Sequence, residues 1–145
     1  RHHAGELCFP GGRIDANETA LDAAQRELFE EIGISVNQVH WVGQCPAQLS
    51  KVGNRIAIYV AYSDLNLQFN INPDEVDELF TLPIQQLNKP SDRQSVRQQG
   101  QKSVALFHYD LGIGEFWGLS ALIWLHFISI LKQNDLKTME ILFNS

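Results

Sequence analysis

The sequence predicts an α/β domain in which helices cover a mixed sheet. Two observations carry that expectation. Apolar residues recur at helical spacing after residue 20 and again after residue 117, and runs rich in β-branched and aromatic residues lie between them. With 145 residues, 44% of them hydrophobic, the chain is long enough for one globular domain with its own core, spanning residues 1–145. It begins without a methionine and partway into a motif, so an N-terminal segment is expected to be missing.

From the start, Ala4 to Phe9 reads as the end of a strand that runs into a turn at Pro10-Gly11-Gly12. Asp15 followed by Glu18 resembles a capping box with a carboxylate in the hydroxyl's place, so the first helix is expected to start there. Leu21, Ala24, Leu28 and Ile32 form its apolar stripe, and Gly33 is the expected stop. The helix so bounded has about fourteen residues, an ordinary length for a globular protein. Val39–Gly43 and Arg55–Tyr62 read as strands, joined by a hairpin turn over Ser50 to Asn54. Glu75 to Leu82 mixes acidic and apolar residues and suggests a short strand or turn. An exposed edge there would permit a homodimer without requiring one. Gln85 to Lys102 is polar and is expected to be a loop with some helix at its start. Val104–Tyr109 is a further strand, and Trp117–Lys132 a second helix, apolar on most sides and so expected to be deeply buried.

Composition narrows the function. A net charge of −6 argues against generic binding to a nucleic-acid backbone, which needs a basic surface. A small anionic substrate stays open, because a metal ion can supply the positive charge locally. Two cysteines, Cys8 and Cys45, make no disulfide framework and read as ordinary buried thiols in a reducing compartment. No secretory signal stands out, and the longest apolar run, Phe116 to Leu131, is short for a bilayer and contains Ser120 and His126. The Phe-Asn-Ser end is not a peroxisomal signal. A cytoplasmic setting is expected, with neither membrane nor nucleic acid as partner.

The chemistry concentrates on the first helix. Glu27, Glu30 and Glu31 stand at i, i+3 and i+4 and project from one face within a single turn. Like charges so placed repel, by roughly a few tenths of a kcal/mol per pair when exposed. Folding gives no reason to crowd them, whereas a hard dication does: Mg²⁺ or Mn²⁺ takes oxygen ligands, and Mg²⁺ in particular suits a few carboxylates plus substrate phosphates. Taken alone, three such glutamates are more often a solvated acidic face. The frame around them decides otherwise.

That frame is Gly12, five residues, Glu18, seven residues, then Arg26-Glu27-Leu28-Phe29-Glu30-Glu31-Ile32-Gly33-Ile34. It resembles the Nudix box at every specified position. The resemblance implies an α/β/α sandwich and metal-dependent cleavage of a diphosphate bond. It makes Glu27, Glu30 and Glu31 metal ligands, with Arg26 orienting a glutamate through a charge-assisted hydrogen bond. A carbonyl of Gly11 or Gly12 is expected in the metal's shell, and Glu18 is expected to be structural. A base must take the proton of the attacking water. Glu75 and Glu78 are candidates, as is Glu27, although the acidic run 74–78 is equally explained as a solvated turn.

The stretch Arg1, Gly5 and Phe9-Pro10-Gly11-Gly12 is similar, in register, to the latter half of the motif that precedes the box in coenzyme A diphosphatases. The Leu-Leu-Thr-x-Arg-Ser half would lie before Arg1. Ser50-x-x-Gly53, Asp74-Glu75-Val76 and Trp117-Gly118-Leu119-Ser120-Ala121 also resemble that subfamily. The resemblance implies coenzyme A or a derivative as substrate, cleaved to 4′-phosphopantetheine and adenosine 3′,5′-bisphosphate. Arg1, Gly12, Lys51 and Arg55 are then expected at the substrate. The extra 3′-phosphate needs a cation, for which Lys51, Arg55, Arg93, Arg97 and Lys102 lie in expected loops, although each is also explained as a solubilising charge. His2 and His3 precede the motif in register and read as native; an imidazole pair suits zinc better than magnesium. Two other readings remain open: a Nudix activity on ADP-ribose or another nucleoside diphosphate derivative, and a Nudix-fold module that binds nucleotides without cleaving them.

Overall fold

The computed structural model describes residues 7–50, 52–64, 66–87, 91, 94–99 and 102–133. They fall into two compact units. One is Phe9–Leu82; the other holds the residues from Pro83 onward together with those preceding Phe9.

The first unit contains helix α1 (Ala20–Ile32) and the antiparallel hairpin of β1 (His40–Leu49) and β2 (Arg55–Tyr62). The helix starts later than Asp15 would set it. Glu18 does accept a hydrogen bond from the Asp15 amide, at 2.6 Å, but this link closes a turn ahead of the helix. The cap itself is Thr19, whose hydroxyl accepts from the Asp22 amide at 3.2 Å while the Asp22 carboxylate accepts from the Thr19 amide at 3.0 Å. Those two bonds satisfy amides that the first helical turn leaves without partners, and a hydroxyl competes for that place as well as a carboxylate does. At the other end Gly33 adopts a left-handed conformation with φ 75°, as expected of a helix stop. Asn70 passes so close that a Cβ on Gly33 would stand 2.9 Å from its carbonyl oxygen, so this position requires glycine twice over.

Strand β1 continues six residues beyond the expected end at Gly43, to Leu49. Pro46 falls where the register slips between Cys45 and Gln48. A proline has no amide to give to a ladder, and a bulge is where a strand tolerates one. The hairpin turn lies where the sequence places it, with the Ser50 amide bonded to the Asn54 carbonyl at 2.8 Å. α1 packs against β2, with Ala23 and Ile32 buried.

In the second unit β3 (Gln94–Gln99), β4 (Lys102–Asp110) and β5 (Glu115–Trp117) form an antiparallel sheet in that order, against which helix α2 (Gly118–Gln133) packs through β4 and β5. The polar stretch read as a loop therefore holds a strand. Its residues show no apolar alternation, and the partner strand β4 supplies the ladder. At residues 75–82 there is a turn and no strand, so the edge expected there, and the dimer it would permit, find no basis in that segment. α2 is buried along one line, Ala121, Trp124 and Ile128, rather than on most sides. His108 is buried at 5% exposure, stacked on Trp117, with its Nε2 2.8 Å from the Ser95 hydroxyl. Cys8 is exposed rather than buried, and Cys45 is half-buried, which raises its thiol pKa. The class is α/β, and every ladder among the described residues is antiparallel. No helix among them is long and apolar enough to cross a membrane.

Candidate functional site

Arg26 organises the acidic face of α1. Its guanidinium presents five N–H donors in a fixed fork, and five bonds leave it. Nε and Nη2 meet the two oxygens of Glu18 at 3.2 and 2.8 Å, in a bidentate pair. Nη2 also reaches the Arg13 carbonyl at 2.9 Å. Nη1 bridges Glu27, at 2.8 Å, and Glu30, at 2.9 Å. The hydrogen bonds to Glu18, Glu30 and Glu27 push the Arg26 pKa upward, so its charge is permanent. Glu18 moves the other way: the Arg26 bond, then the Asp15 amide, hold its carboxyl below the usual range. Glu18 thus serves to fix the arginine, the structural part expected of it.

The three glutamates of the box are not equivalent. The Glu27 side chain is only 14% exposed and that of Glu30 is 47% exposed. Glu27 lies over Gly12 so closely that a Cβ there would overlap its carboxylate. Glu31 is tied to the same glycine turn, its Oε2 accepting from the Gly11 amide at 3.0 Å. It is the amide of Gly11 that meets a carboxylate here, where the expectation concerned a carbonyl for the metal. Burial pushes the Glu31 pKa up. The Gly11 amide opposes the rise, and the charges of Glu27 and Glu75 add to it.

Glu75 reaches this neighbourhood because residues 70–76 are bonded to the end of α1. The Asn70 and Asn72 amides donate to the carbonyls of Ile32, at 3.0 Å, and Glu31, at 2.9 Å. Helix ends leave such carbonyls without partners, and the passing segment takes them. The Asn72 carbonyl then accepts the amides of Glu75 and Val76, at 3.0 and 2.8 Å.

Arg26, Glu27, Glu30 and Glu31 therefore lie along the second half of α1, with Gly12 against Glu27 and Gly11 against Glu31, and the turn bearing Glu75 is bonded to the end of the helix. Arg55, by contrast, is exposed at the first residue of β2, opposite Leu49, and forms no ion pair with another described residue. Glu78 is exposed beyond the turn. Arg1, Lys51, Arg93, His2 and His3 lie outside the described residues, as do the side chains of Arg97 and Lys102. The sequence reading missed Arg13, whose carbonyl fills the last donor of Arg26, and Asn72; the Asn72-Pro73-Asp74 turn signature was the available clue to the latter.

The cluster contains only hard oxygen donors. Among the described residues, no group of three or more His, Cys, Asp or Glu side chains converges to hold a metal ion by itself. Oxygen donors of this kind suit a hard divalent ion that completes its shell with waters and substrate phosphates.

Residues 1–102 match the family model described as the NUDIX domain. The chain belongs to the Nudix family. Its Nudix relatives include Nudix hydrolase 3 of Caenorhabditis elegans, 41% identical over 93 residues, covering 61% of this chain and 39% of that protein. A Yersinia enterocolitica protein named Uncharacterized Nudix hydrolase NudL is 36% identical over 85 residues, 58% of this chain and 44% of the relative. A protein of the same name from Yersinia pestis strain Pestoides F is 33% identical over 131 residues, 87% of this chain and 64% of the relative. The chain spans less than two thirds of the length of each of these relatives. In this Nudix chain the box runs from Gly12 through the loop that holds Glu18 and along helix α1, and its closing Gly33 and Ile34 follow the helix.

Proposed function

We propose that this chain hydrolyses a diphosphate bond with the help of Mg²⁺ or Mn²⁺, and that the bond is that of coenzyme A or one of its derivatives. The products would be 4′-phosphopantetheine and adenosine 3′,5′-bisphosphate. One observation supports the reaction class above all. A single positive charge, Arg26, serves three carboxylates, Glu18, Glu27 and Glu30, while Glu31 is half-buried beside Glu27 and Glu75 with no cation of its own among the described residues. Such an excess of negative charge calls for a dication.

Glu27 and Glu31 are the residues to hold that ion. Glu30 gives one oxygen to Arg26 and is the more exposed ligand. A bound dication would neutralise phosphate charge and lower the pKa of a coordinated water. Arg26 keeps Glu27 in one orientation, so little reorganisation is left for the reaction step. Glu18 and the Arg13 carbonyl fix Arg26 in turn. The proton of the attacking water is assigned to Glu75; the bonds that tie its turn to the helix end carrying Glu31 support this reading. Coenzyme A as substrate rests on the register of Arg1, Gly5 and Phe9-Pro10-Gly11-Gly12 ahead of the box. A cytoplasmic setting is proposed with this activity, and the net charge of −6 leaves a small nucleotide substrate open because the dication supplies positive charge locally.

Incubation with Mg²⁺ or Mn²⁺ and coenzyme A, ADP-ribose or NADH, with chromatography of the products, tests this. Release of 4′-phosphopantetheine is expected. Cleavage of ADP-ribose with coenzyme A left intact would move the substrate to another Nudix class. Nucleotide binding in calorimetry with no cleavage of any substrate would make the chain a binding module.

A further inference from the structure

We infer that Asn72 is a positioning residue: it joins the backbone of Glu31 to the turn carrying Glu75, and so seats the Glu75 carboxylate beside the glutamates of α1. The inference rests on the part given to Glu75 under the proposed function, and extends it to a residue outside the box.

Asn72 makes four bonds that together describe a bracket. Its amide donates to the Glu31 carbonyl at 2.9 Å, which fixes the residue to the last turn of the helix. Its own carbonyl accepts from Glu75 at 3.0 Å and from Val76 at 2.8 Å. Its side-chain oxygen accepts from the Asp74 amide at 3.1 Å, closing an Asx turn. Pro73 sits inside that turn with its φ already restricted. Three of the four bonds are made by backbone groups, and those are available to any residue type but proline. The fourth is available only to a side chain with an oxygen at that reach, which is why the position holds asparagine rather than alanine. With the turn closed, the hydrogen-bonded path from the Glu31 carbonyl to the Glu75 amide passes through one residue, although the two are distant in sequence. Left to itself, a turn carrying Asp74 and Glu75 would swing away from an acidic helix end. The Asn72 bracket opposes that motion.

The experiment compares wild type, Asn72→Ala, Asn72→Ser, Glu75→Gln and the Asn72→Ala/Glu75→Gln double variant. It reads amide hydrogen exchange, Mn²⁺ binding by electron paramagnetic resonance, and steady-state cleavage. In Asn72→Ala the Glu75 and Val76 amides are expected to exchange faster while those of α1 do not. kcat should fall by about 10-fold with KM little changed, part of the roughly 100- to 10,000-fold that a positioned base contributes. Mn²⁺ should bind as in wild type, because Glu75 is given the part of base and not of ligand. Asn72→Ser, which keeps a hydroxyl acceptor without adding charge, should recover most of the loss. In the Glu75→Gln background the alanine substitution should cost kcat nothing further, because the side chain it positions is already disabled. Unchanged exchange at Glu75 and Val76, or a kcat loss of the same factor with and without Glu75, would overturn the inference. If wild type neither binds Mn²⁺ nor cleaves a diphosphate, the proposed function fails, while the exchange comparison still decides whether Asn72 holds the turn.

Discussion

Glu18 holds Arg26 by both carboxylate oxygens, at 2.8 and 3.2 Å, reaching from the loop before α1 to its second turn. The remaining donors of the same guanidinium set Glu27 and Glu30. The acidic face thus depends on a cation that is itself anchored from outside the helix. Lysine cannot reproduce this, being a point charge without the fork. Arg26→Lys is expected to lower kcat by about 10- to 100-fold, as substitutions behind metal ligands do. Glu18→Gln, which keeps the size and one acceptor, should follow in the same direction by a smaller factor. Far-ultraviolet circular dichroism of both should match wild type. Full activity in Arg26→Lys would show that Glu27 needs no orientation.

The two glycines of the turn should respond differently to alanine. A Cβ on Gly12 overlaps the Glu27 carboxylate, so Gly12→Ala displaces a proposed ligand. A displacement near 1 Å can cost about 100-fold in rate. A Cβ on Gly11 meets nothing, but its φ of 155° is one that side chains rarely adopt. Gly11→Ala should therefore cost stability, about 1–3 kcal/mol for a strained backbone conformation, with the smaller effect on kcat. Steady-state kinetics beside urea unfolding separates the two. Equal kcat losses would be contrary to this assignment.

The caps of α1 make a separable stability test. Thr19→Ala removes the hydroxyl that accepts the Asp22 amide and should cost about 1 kcal/mol. Gly33→Ala forces a side chain into a left-handed conformation and against Asn70. It should cost more, roughly 1–3 kcal/mol. Urea titrations of the two variants give the order directly.

Acid should weaken the fold through two carboxylates. Arg26 and the Asp15 amide lower the Glu18 pKa, and the Thr19 hydroxyl and amide lower that of Asp22. A carboxyl whose folded pKa lies below its unfolded value stabilises the fold at neutral pH. That contribution is fully present above the unfolded value, near 4, and is lost as pH falls through the folded one. The melting temperature of wild type should accordingly drop below about pH 4. In Asp22→Asn, which cannot titrate, the acid-side drop should be shallower. Identical pH profiles for the two proteins would remove Asp22 from this account.

Much of this was legible in the sequence, because the signals were local. Helical spacing from Leu21 to Ile32 gave α1, and Gly33 its end. The run Arg55–Tyr62 matched β2 residue for residue. The spacing of Glu27, Glu30 and Glu31 put three carboxylates on one face, since a helix fixes which residues are neighbours. Other features depended on partners distant in the chain. Polar β3 exists because β4 offers it a ladder, and its clue, a glycine between two short runs, is weak. Thr19 outcompeted Asp15 as a cap by fitting the helix that actually formed. Which glutamate Arg26 grips could not be read from spacing, because Glu18 lies off the helix.

The sequence alone determined the membership of the acidic cluster and the helix that displays it, because both follow from backbone periodicity. The tertiary structure decided the inequality among its members. Glu27 is pressed on Gly12, Glu30 is the most exposed of the three although Arg26 holds one of its oxygens, and Glu31 is half-buried with its carbonyl bonded to the Asn72 amide. Those differences arise from burial and from charges brought together by chain segments some forty residues apart, and no local pattern encodes them.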